Sequence, residues 1–447
     1  IKIYLFLVKI GKRSVTKVQN LSFILKFIDY NRHHKTLKGE KMKLTKISLA
    51  ALVALGAFSS VASATPLEEA IKNVDLSGFA RYRYTNTNTK ESKANKADKK
   101  SHEAGHQFRM ITNFKAAIDD NFFGVIGFRY NTTDKSGDGV KDGSDNTKTD
   151  GTFNVHQFYL GYKAGNTTIT AGKQIIGSYF TDDEVGTGIR VVNKDIEGLT
   201  LTALAFDALE GTKGFSNGAL YEDDSVTDYL TKYDVGNLYA AGIAGSYDPI
   251  NFQLWYGTLT NLADVLAADV SGNFAITNDV SVGARLNYAH SQADTSAKNA
   301  LGYDDGNFYA GELSTSLFGL DLAAGYIGYK TQNYQDGKYS VFTFEDQGGL
   351  IDAGEDVLDW TRAEGKGSYL YVTSAYTFDK FTAGLDYIKG SYKTDEKTKV
   401  QQFVPRFAYQ YNKKLKFSSF YAFTTEKEHD GDKNKADKFR FEAKYSF

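Results

Sequence analysis

Residues 438–447 read KFRFEAKYSF, and every second side chain in this stretch is apolar. The positions between them hold four charged residues and one serine. Because successive side chains of a β-strand point to opposite faces, the segment has one apolar face and one strongly polar face. A strand with lipid on one side and water on the other needs this arrangement.

Two other segments repeat the alternation. In residues 74–84, Val74, Leu76, Ala80, Tyr82 and Tyr84 alternate with Asp75, Ser77, Arg81 and Arg83. In residues 281–288, Val282, Ala284, Leu286 and Tyr288 alternate with Ser281, Gly283, Arg285 and Asn287. A strand of a soluble β-sandwich alternates as well, with its polar face on the outer surface, so the pattern leaves both classes open.

The composition is compatible with either class and excludes a helical membrane protein. The 447 residues are 41% apolar and 24% charged, with a mean hydropathy of -0.40. A membrane-spanning helix needs roughly 20 consecutive apolar residues, and no such run follows residue 64. The 30 Tyr and 31 Phe favour strands with aromatic girdles, and the lack of cysteine excludes disulfides, thiolate metal sites and cysteine nucleophiles.

The lengths of the connections separate the two classes. Long polar stretches are expected at residues 85–105, 131–153, 177–187, 208–236, 291–306, 331–367, 391–401 and 425–437. Short turns are expected at 118–121, 164–167, 193–198, 247–250, 318–319, 378–380 and 412–414, with a modest link at 260–264 and a turn at 271–279. Long and short connections alternate except around 260–279, and they separate 18 candidate strands. We therefore predict an all-β fold, a transmembrane antiparallel β-barrel of 18 strands with short periplasmic turns and long extracellular loops.

The N-terminal region is expected to be separate from the barrel. Residues 1–41 are interpreted as translated upstream sequence, and 42–64 as a secretory signal that ends in Ala62-Ser63-Ala64. The predicted mature barrel, residues 65–447, has 41 Lys and Arg against 52 Asp and Glu, a formal charge of -11. This acidic balance argues against a nucleic-acid partner, for which a basic face is expected.

Several stretches resemble the Campylobacter major outer membrane protein family, which are porins. The resemblance covers residues 42–447 and lies in the mature start at 65–75 and in the motifs at 81–84, 171–174, 185–188, 195–201 and 345–348, with the terminal Phe447. It implies a homotrimer of 18-stranded barrels in the Gram-negative outer membrane, in contact with lipid and lipopolysaccharide. It also implies passage of cations and small hydrophilic solutes, a calcium ion in the pore, antigenic surface loops and adhesion to host-cell ligands. Tyr445 and Phe447 are expected to act as the outer-membrane assembly signal.

A diffusion channel needs a wet lumen with opposed charges at its narrowest point. Inward positions are predicted for eight arginines: Arg81, Arg83, Arg109, Arg129, Arg190, Arg285, Arg406 and Arg440. Asp182, Asp183 and Glu184 lie on the third long loop, which can fold into the barrel; a solvated acidic run on the surface is the alternative. Glu345 is added as a pore acid through the resemblance.

Calcium binding requires converging oxygen ligands, and the resemblance points to Asp183, Glu184 and Glu345. The acidic stretch 134–145 lacks the spacing of an EF-hand and is expected to be an ordinary loop. Aromatic clusters are expected in interface girdles, with a sugar-binding surface as the alternative; they are Tyr369 and Tyr371, Phe420 to Phe423, and Tyr445.

Enzymatic activity is not expected. The predicted mature chain has five histidines, at 102, 106, 156, 290 and 429, and none lies in a recognisable nucleophile motif. The remaining alternatives to a general diffusion channel are a substrate-specific outer-membrane channel and an adhesive barrel with little pore function.

Overall fold

The computed structural model describes residues 74–92, 98–137, 152–181, 183–211, 215–220, 233–342, 349–355, 357–358 and 364–447. The predicted upstream segment and signal peptide lie outside the described residues, as do Asp182 and Glu345. Within them, one antiparallel sheet of 18 strands closes on itself. The predicted fold class and strand number are confirmed.

The strands follow each other around the barrel in chain order. They are β1 (Val74–Ser92), β2 (Lys99–Ala117), β3 (Phe122–Ser136), β4 (Thr152–Ala164), β5 (Thr167–Ile175), β6 (Val185–Asn193), β7 (Leu199–Leu209), β8 (Leu238–Tyr247), β9 (Ile250–Leu259), β10 (Ala263–Thr277), β11 (Val280–Ala293), β12 (Gly306–Leu317), β13 (Leu320–Thr331), β14 (Lys366–Phe378), β15 (Phe381–Lys393), β16 (Lys397–Gln410), β17 (Leu415–Lys427) and β18 (Lys433–Ser446). A short helix, α1 (Thr295–Ala300), and a 3-10 turn (Tyr334–Asp336) lie between strands.

The barrel closes where β18 pairs with β1. Arg83 lies opposite Glu442 in this register, and Tyr82 lies opposite Ala443. Beyond the last strand, the backbone N–H groups of Gly78 and Phe447 each donate to the other residue's carbonyl oxygen at 3.1 Å. Closure therefore leaves no open sheet edge at the seam, as a barrel in lipid requires.

One end of the barrel, called the turn end here, carries only short connections. In the turn at 118–121, Asp119 Oδ1 accepts hydrogen bonds from the backbone N–H groups of Asn121 at 2.8 Å and Phe122 at 2.6 Å. In the turn at 318–319 both Phe318 and Gly319 have positive φ, as two-residue hairpins of the primed type need. These two turns confirm the predicted bounds.

The predicted connections at 271–279, 85–105 and 391–401 are too long. β10 continues to Thr277, β1 continues to Ser92, and β15 and β16 leave only residues 394–396 between them. In the connections predicted at 85–105 and 391–401, the added strand residues are largely polar on both faces, so the apolar alternation that marks a strand in sequence is weak there. Backbone pairing extends beyond the apolar belt because each added residue can still form backbone hydrogen bonds with the neighbouring strand, whatever its side chain. The long connections nonetheless collect at the opposite end, called the loop end here.

The outer surface is a belt of exposed apolar side chains. Leu286 is 65% exposed, Leu313 67% and Leu370 64%. Side chains of this size on the surface mark a lipid-facing wall. Tyr445 and Phe423 share this outward face, as expected for girdle residues.

The girdle interpretation is wrong for Tyr369, Tyr371 and Phe420. Tyr369 is 2% exposed and Tyr371 3%, and both belong to an apolar core inside the barrel. Strand β14 has apolar or aromatic residues on both faces, so the sequence pattern does not say which face meets lipid. Phe420 faces inward, where its ring lies beneath two arginines.

The core consists of loop residues packed on the inner wall near the loop end. Its loop members include Ile176, Phe180, Phe215, Phe342 and Ile351, and its wall members include Phe206, Leu238, Leu259, Phe308 and Ile327. The predicted wet inner face therefore holds for the turn half of the lumen but not for the upper wall of β7–β14. Strands with packed core on one face and lipid on the other carry near-continuous apolar runs, which is the pattern of β7 and β8.

Candidate pore constriction

A segment of the β13–β14 connection, residues 349–355, lies inside the barrel and is hydrogen-bonded to the wall at β11 and β16. The backbone N–H of Ile351 donates to Asn287 Oδ1 at 2.7 Å. The backbone N–H of Glu355 donates to Gln402 Oε1 at 2.7 Å, and Gln402 Nε2 returns a hydrogen bond to the Glu355 carbonyl at 2.6 Å. These bonds satisfy backbone groups that would otherwise be unpaired, and they fix the height of the segment in the barrel.

Glu355 is the acidic centre of this segment. Arg406 Nη1 donates to Glu355 Oε1 at 2.6 Å, and Arg440 Nη1 lies 3.7 Å from Glu355 Oε2. Arg406 also pairs with Asp386 on the neighbouring strand. The Phe420 ring lies between the two guanidinium groups, 5.4 Å from Arg406 and 5.1 Å from Arg440. Charge pairing and cation–π contacts therefore hold both arginines in place.

Sequence reasoning missed Glu355. Residues 332–365 contain several acids, and no periodicity says which of them reaches the wall. The usable signal was on the wall, because Gln402 and Arg406 have the same parity on β16 and therefore share its inward face.

A second contact joins two inward-folded loops. Arg285 holds Asp269 through two hydrogen bonds of 2.7 and 3.2 Å, and its Nη2 also donates to the Gly349 carbonyl at 2.7 Å. Tyr179, from the β5–β6 loop, donates its hydroxyl to the same carbonyl at 2.6 Å. The carbonyl of Gly349 is therefore the point at which the wall and both loops meet.

Asp183 and Glu184 lie where the β5–β6 loop returns to the wall. Arg109 Nη2 donates to Asp183 Oδ2 at 2.9 Å, although the Asp183 side chain is 61% exposed. Glu184 Oε1 accepts the backbone N–H of Gly211 at 2.5 Å. The predicted inward fold of this loop agrees with these contacts.

The remaining predicted arginines line the inner wall. Arg83 Nη2 lies 2.8 Å from Glu442 Oε2. Arg81 Nη2 donates to Gln107 Oε1 at 2.8 Å, and Arg81 Nε lies 3.9 Å from the same Glu442 oxygen. Arg129 pairs with Glu210. Arg190 lies beside Gly177, where an added Cβ would stand 3.0 Å from the guanidinium group. Seven of the eight arginines thus have a carboxylate partner among the described residues, and Arg190 is packed against backbone.

On the turn side of the segment 349–355, the lumen contains a cavity of about 930 Å³. Five basic residues line it: Arg83, Arg285, Arg406, Arg440 and Lys416. Five acidic residues do so as well: Glu312, Asp321, Glu355, Asp386 and Glu442. Serine, threonine and glycine fill much of the remaining surface. The cavity is therefore polar, and its fixed charges are balanced.

The calcium ligands predicted by resemblance do not form a complete site among the described residues. The one group of three carboxylates within ligand distance there is Glu428, Asp430 and Asp432, in the β17–β18 turn. Asp183 is committed to Arg109, and Glu345 lies outside the described residues. The donor set fits calcium only if Glu345 completes it, so calcium binding stays a prediction.

Comparison with known proteins agrees with this geometry. Within the described residues, no helix is both long and apolar enough to span a bilayer. The family model of the Campylobacter major outer membrane protein matches residues 42–447. This chain belongs to that family. Membership in the Campylobacter major outer membrane protein family, together with the closed barrel, places the chain in the outer membrane of a Gram-negative bacterium.

Solved structures with the same fold are distant in sequence. The chain is similar to Pseudomonas aeruginosa OpdK, solved with vanillate, at 14% identity and a TM-score of 0.59, covering 83% of this chain and 99% of that one. It is similar to Pseudomonas aeruginosa OccK8 (OprE) at 15% identity and a TM-score of 0.59, covering 83% of this chain and 98% of that one. For Acinetobacter baumannii OccAB3 the identity is 11% and the TM-score 0.58, covering 83% and 99%. Comparison with curated proteins found no match. Family and fold point to a channel rather than an enzyme.

Proposed function

We propose that the barrel is a passive diffusion channel for ions and small hydrophilic solutes, with a preference for cations. The observation that carries this proposal is the position of Glu355, a loop residue inside the barrel that is paired with Arg406 and Arg440 of the wall and lines the polar cavity. A loop that narrows a polar lumen and sets opposed charges there limits solute size and imposes a local field.

The preference for cations follows from the residual charge. Most described pore arginines are neutralised by a carboxylate at salt-bridge distance, so the constriction itself has little excess of positive charge. Residues 65–447 carry a formal charge of -11, which gives the approaches to the pore a negative potential. Such a potential raises the local concentration of cations and weakens as salt screens it.

A substrate-specific channel is the second candidate. The pair Arg406 and Arg440, stacked on Phe420, presents cationic and aromatic surface that suits a small aromatic or carboxylate solute. Against this, Glu355 already occupies both arginines, so a solute anion would have to displace it.

Planar-bilayer recording of the purified protein separates the candidates. Large ohmic steps with a reversal potential on the cation side support the general channel. Small currents that one solute blocks at low concentration would support the specific channel instead. An absence of steps from correctly folded protein would contradict both and leave an adhesive barrel.

We also propose that the protein forms a homotrimer and that its loop end is a surface antigen that binds host-cell ligands. Support comes from family membership and from the collection of the long connections at one end. Light scattering in detergent tests the trimer, and a monomer mass would contradict it. Competition of cell binding by the purified barrel tests adhesion.

A further inference from the structure

Lysines are distributed very unevenly over the barrel strands. Strands β6–β12 contain no lysine, whereas each strand from β13 to β18 contains at least one. On β13–β16 four of them stand in one cross-strand register: Lys330 opposite Lys366, Lys366 opposite Lys393, and Lys393 opposite Lys397. These four residues are called the lysine row here.

The lysine row faces outward at the loop end. Lys366 shares a face with exposed Leu370, and Lys397 shares a face with exposed Phe403. Just beyond the row, Lys399 lies opposite Lys427, and Lys427 opposite Lys433. Like charges directly opposite each other destabilise a sheet, so a run of seven on neighbouring strands calls for a counter-charge.

Among the described residues, no carboxylate lies within salt-bridge distance of the seven ammonium groups. An anion from the surroundings of the barrel wall would supply the counter-charge.

An apolar groove runs down the outer wall from these lysines. It has a volume of about 1180 Å³ and lies on strands β11–β16. The small residues Gly311, Ala324 and Ser368 form its floor, and Leu313 and Leu370 are among the larger residues that line it. Lys389, Lys397 and Lys399 line its loop end. The groove therefore offers apolar surface at membrane depth and positive charge directly above it.

We propose that the outer face of β11–β16, with the lysine row at its loop end, binds a phosphorylated, multiply acylated glycolipid of the outer leaflet, that is, the lipid A part of lipopolysaccharide. The lysine row pairs with the phosphate groups, and acyl chains lie in the groove. Charge complementarity and the continuity of the groove with the lipid-facing belt both favour a lipid over a soluble anion. The described strands β6–β10, which contain no lysine and do not line the groove, offer no such pairing.

The test compares two triple variants of the full barrel reconstituted in detergent. One carries Lys366→Gln, Lys393→Gln and Lys397→Gln in the lysine row. The matched control carries Lys380→Gln, Lys413→Gln and Lys414→Gln, which removes the same charge from exposed positions at the turn end. Binding of bisphosphorylated lipid A is measured by native mass spectrometry, with dephosphorylated lipid A and inorganic phosphate as further probes.

The row variant is expected to bind bisphosphorylated lipid A at least about tenfold more weakly, while the control stays within about twofold of the unmodified protein. Dephosphorylated lipid A should bind weakly to all three proteins, and inorganic phosphate should not displace the lipid. The proposal would be overturned if the row variant bound bisphosphorylated lipid A as tightly as the unmodified protein, or if the control lost as much binding as the row variant. Full displacement of the lipid by inorganic phosphate would overturn it as well.

A triple Lys→Arg variant at the row positions keeps the charge and should retain binding, which separates charge loss from misfolding. Bilayer conductance should be unchanged in the row variant, so failure here leaves the channel proposal standing.

Discussion

The Glu355 carboxylate accepts a hydrogen bond of 2.6 Å from the guanidinium group of Arg406 on β16. The backbone N–H and carbonyl of Glu355 are bonded to Gln402, which lies four residues before Arg406 on the same strand. The backbone of residue 355 is therefore held in place by bonds that do not depend on the charge of its side chain. A charge change at residue 355 can alter the local field without releasing the segment.

Replacing Glu355 by Gln is expected to shift the channel toward anions. The substitution removes one negative charge between Arg406 and Arg440, and the Gln402 bonds to the backbone remain. The cation-to-anion permeability ratio should fall about twofold or more, read from the reversal potential in a salt gradient.

The matched control for Glu355→Gln is Asp379→Asn at a turn-end position. Residue 379 has φ 51, a conformation that asparagine also tolerates, so the fold should be unaffected. A reversal potential that shifts equally in both variants would mean that net charge, and not the constriction, sets selectivity.

Replacing Gly349 by Ala should displace the two loops from each other. A Cβ at residue 349 would lie 2.1 Å from the Tyr179 ring, so the ring or the segment must move. Loss of the Tyr179 bond to the Gly349 carbonyl costs about 0.5–1.5 kcal/mol, and single-channel current should become larger and noisier. Tyr179→Phe removes the same hydrogen bond without adding a clash, so its current should also become noisier. If Tyr179→Phe were as quiet as the unmodified protein, loss of this bond would not be the cause of the noise in Gly349→Ala.

Sequence predicted the wall of this barrel better than its interior. Period-two alternation fixes which face an arginine such as Arg285 or Arg440 occupies, because a closed sheet has only two faces. It failed at Tyr369 and Tyr371, where both faces of the strand are apolar or aromatic. Glu355 could not be found either, since its contacts join residues 51 and 85 positions apart through a loop with no periodic pattern.

The β11–β12 loop should loosen at high pH. Lys298 pairs with Asp305 at 2.7 Å and with Asp304 at 3.3 Å, and the hydrogen bond with Asp305, followed by that with Asp304, raises the pKa of Lys298 above 10.5. A raised pKa gives stability that is fully present below the unfolded value and is lost as pH rises through the folded value. Urea unfolding in detergent from about pH 9 to about pH 12 should therefore show a falling midpoint.

Lys298→Met serves as the control for that pH dependence. The variant has no ammonium group to lose, so its midpoint should start lower and fall less over the same range. Parallel curves for the two proteins would show that other groups control the alkaline transition.

Calcium is expected to stabilise the barrel if Glu345 joins Asp183 and Glu184 as a ligand. Calcium takes six to eight oxygen ligands, and a ligand that binds only the folded state raises its stability by mass action. Chelation should then lower the thermal midpoint of the unmodified protein and have little effect on the midpoint of Glu345→Gln.

Arg109→Met tests the same prediction in the opposite direction. The substitution removes the 2.9 Å hydrogen bond between Arg109 and Asp183, so calcium should bind more tightly. If the thermal midpoints of the unmodified protein and of Arg109→Met both failed to respond to calcium, the calcium prediction would be wrong. Asp183 would then serve only to hold its loop to β2 through Arg109.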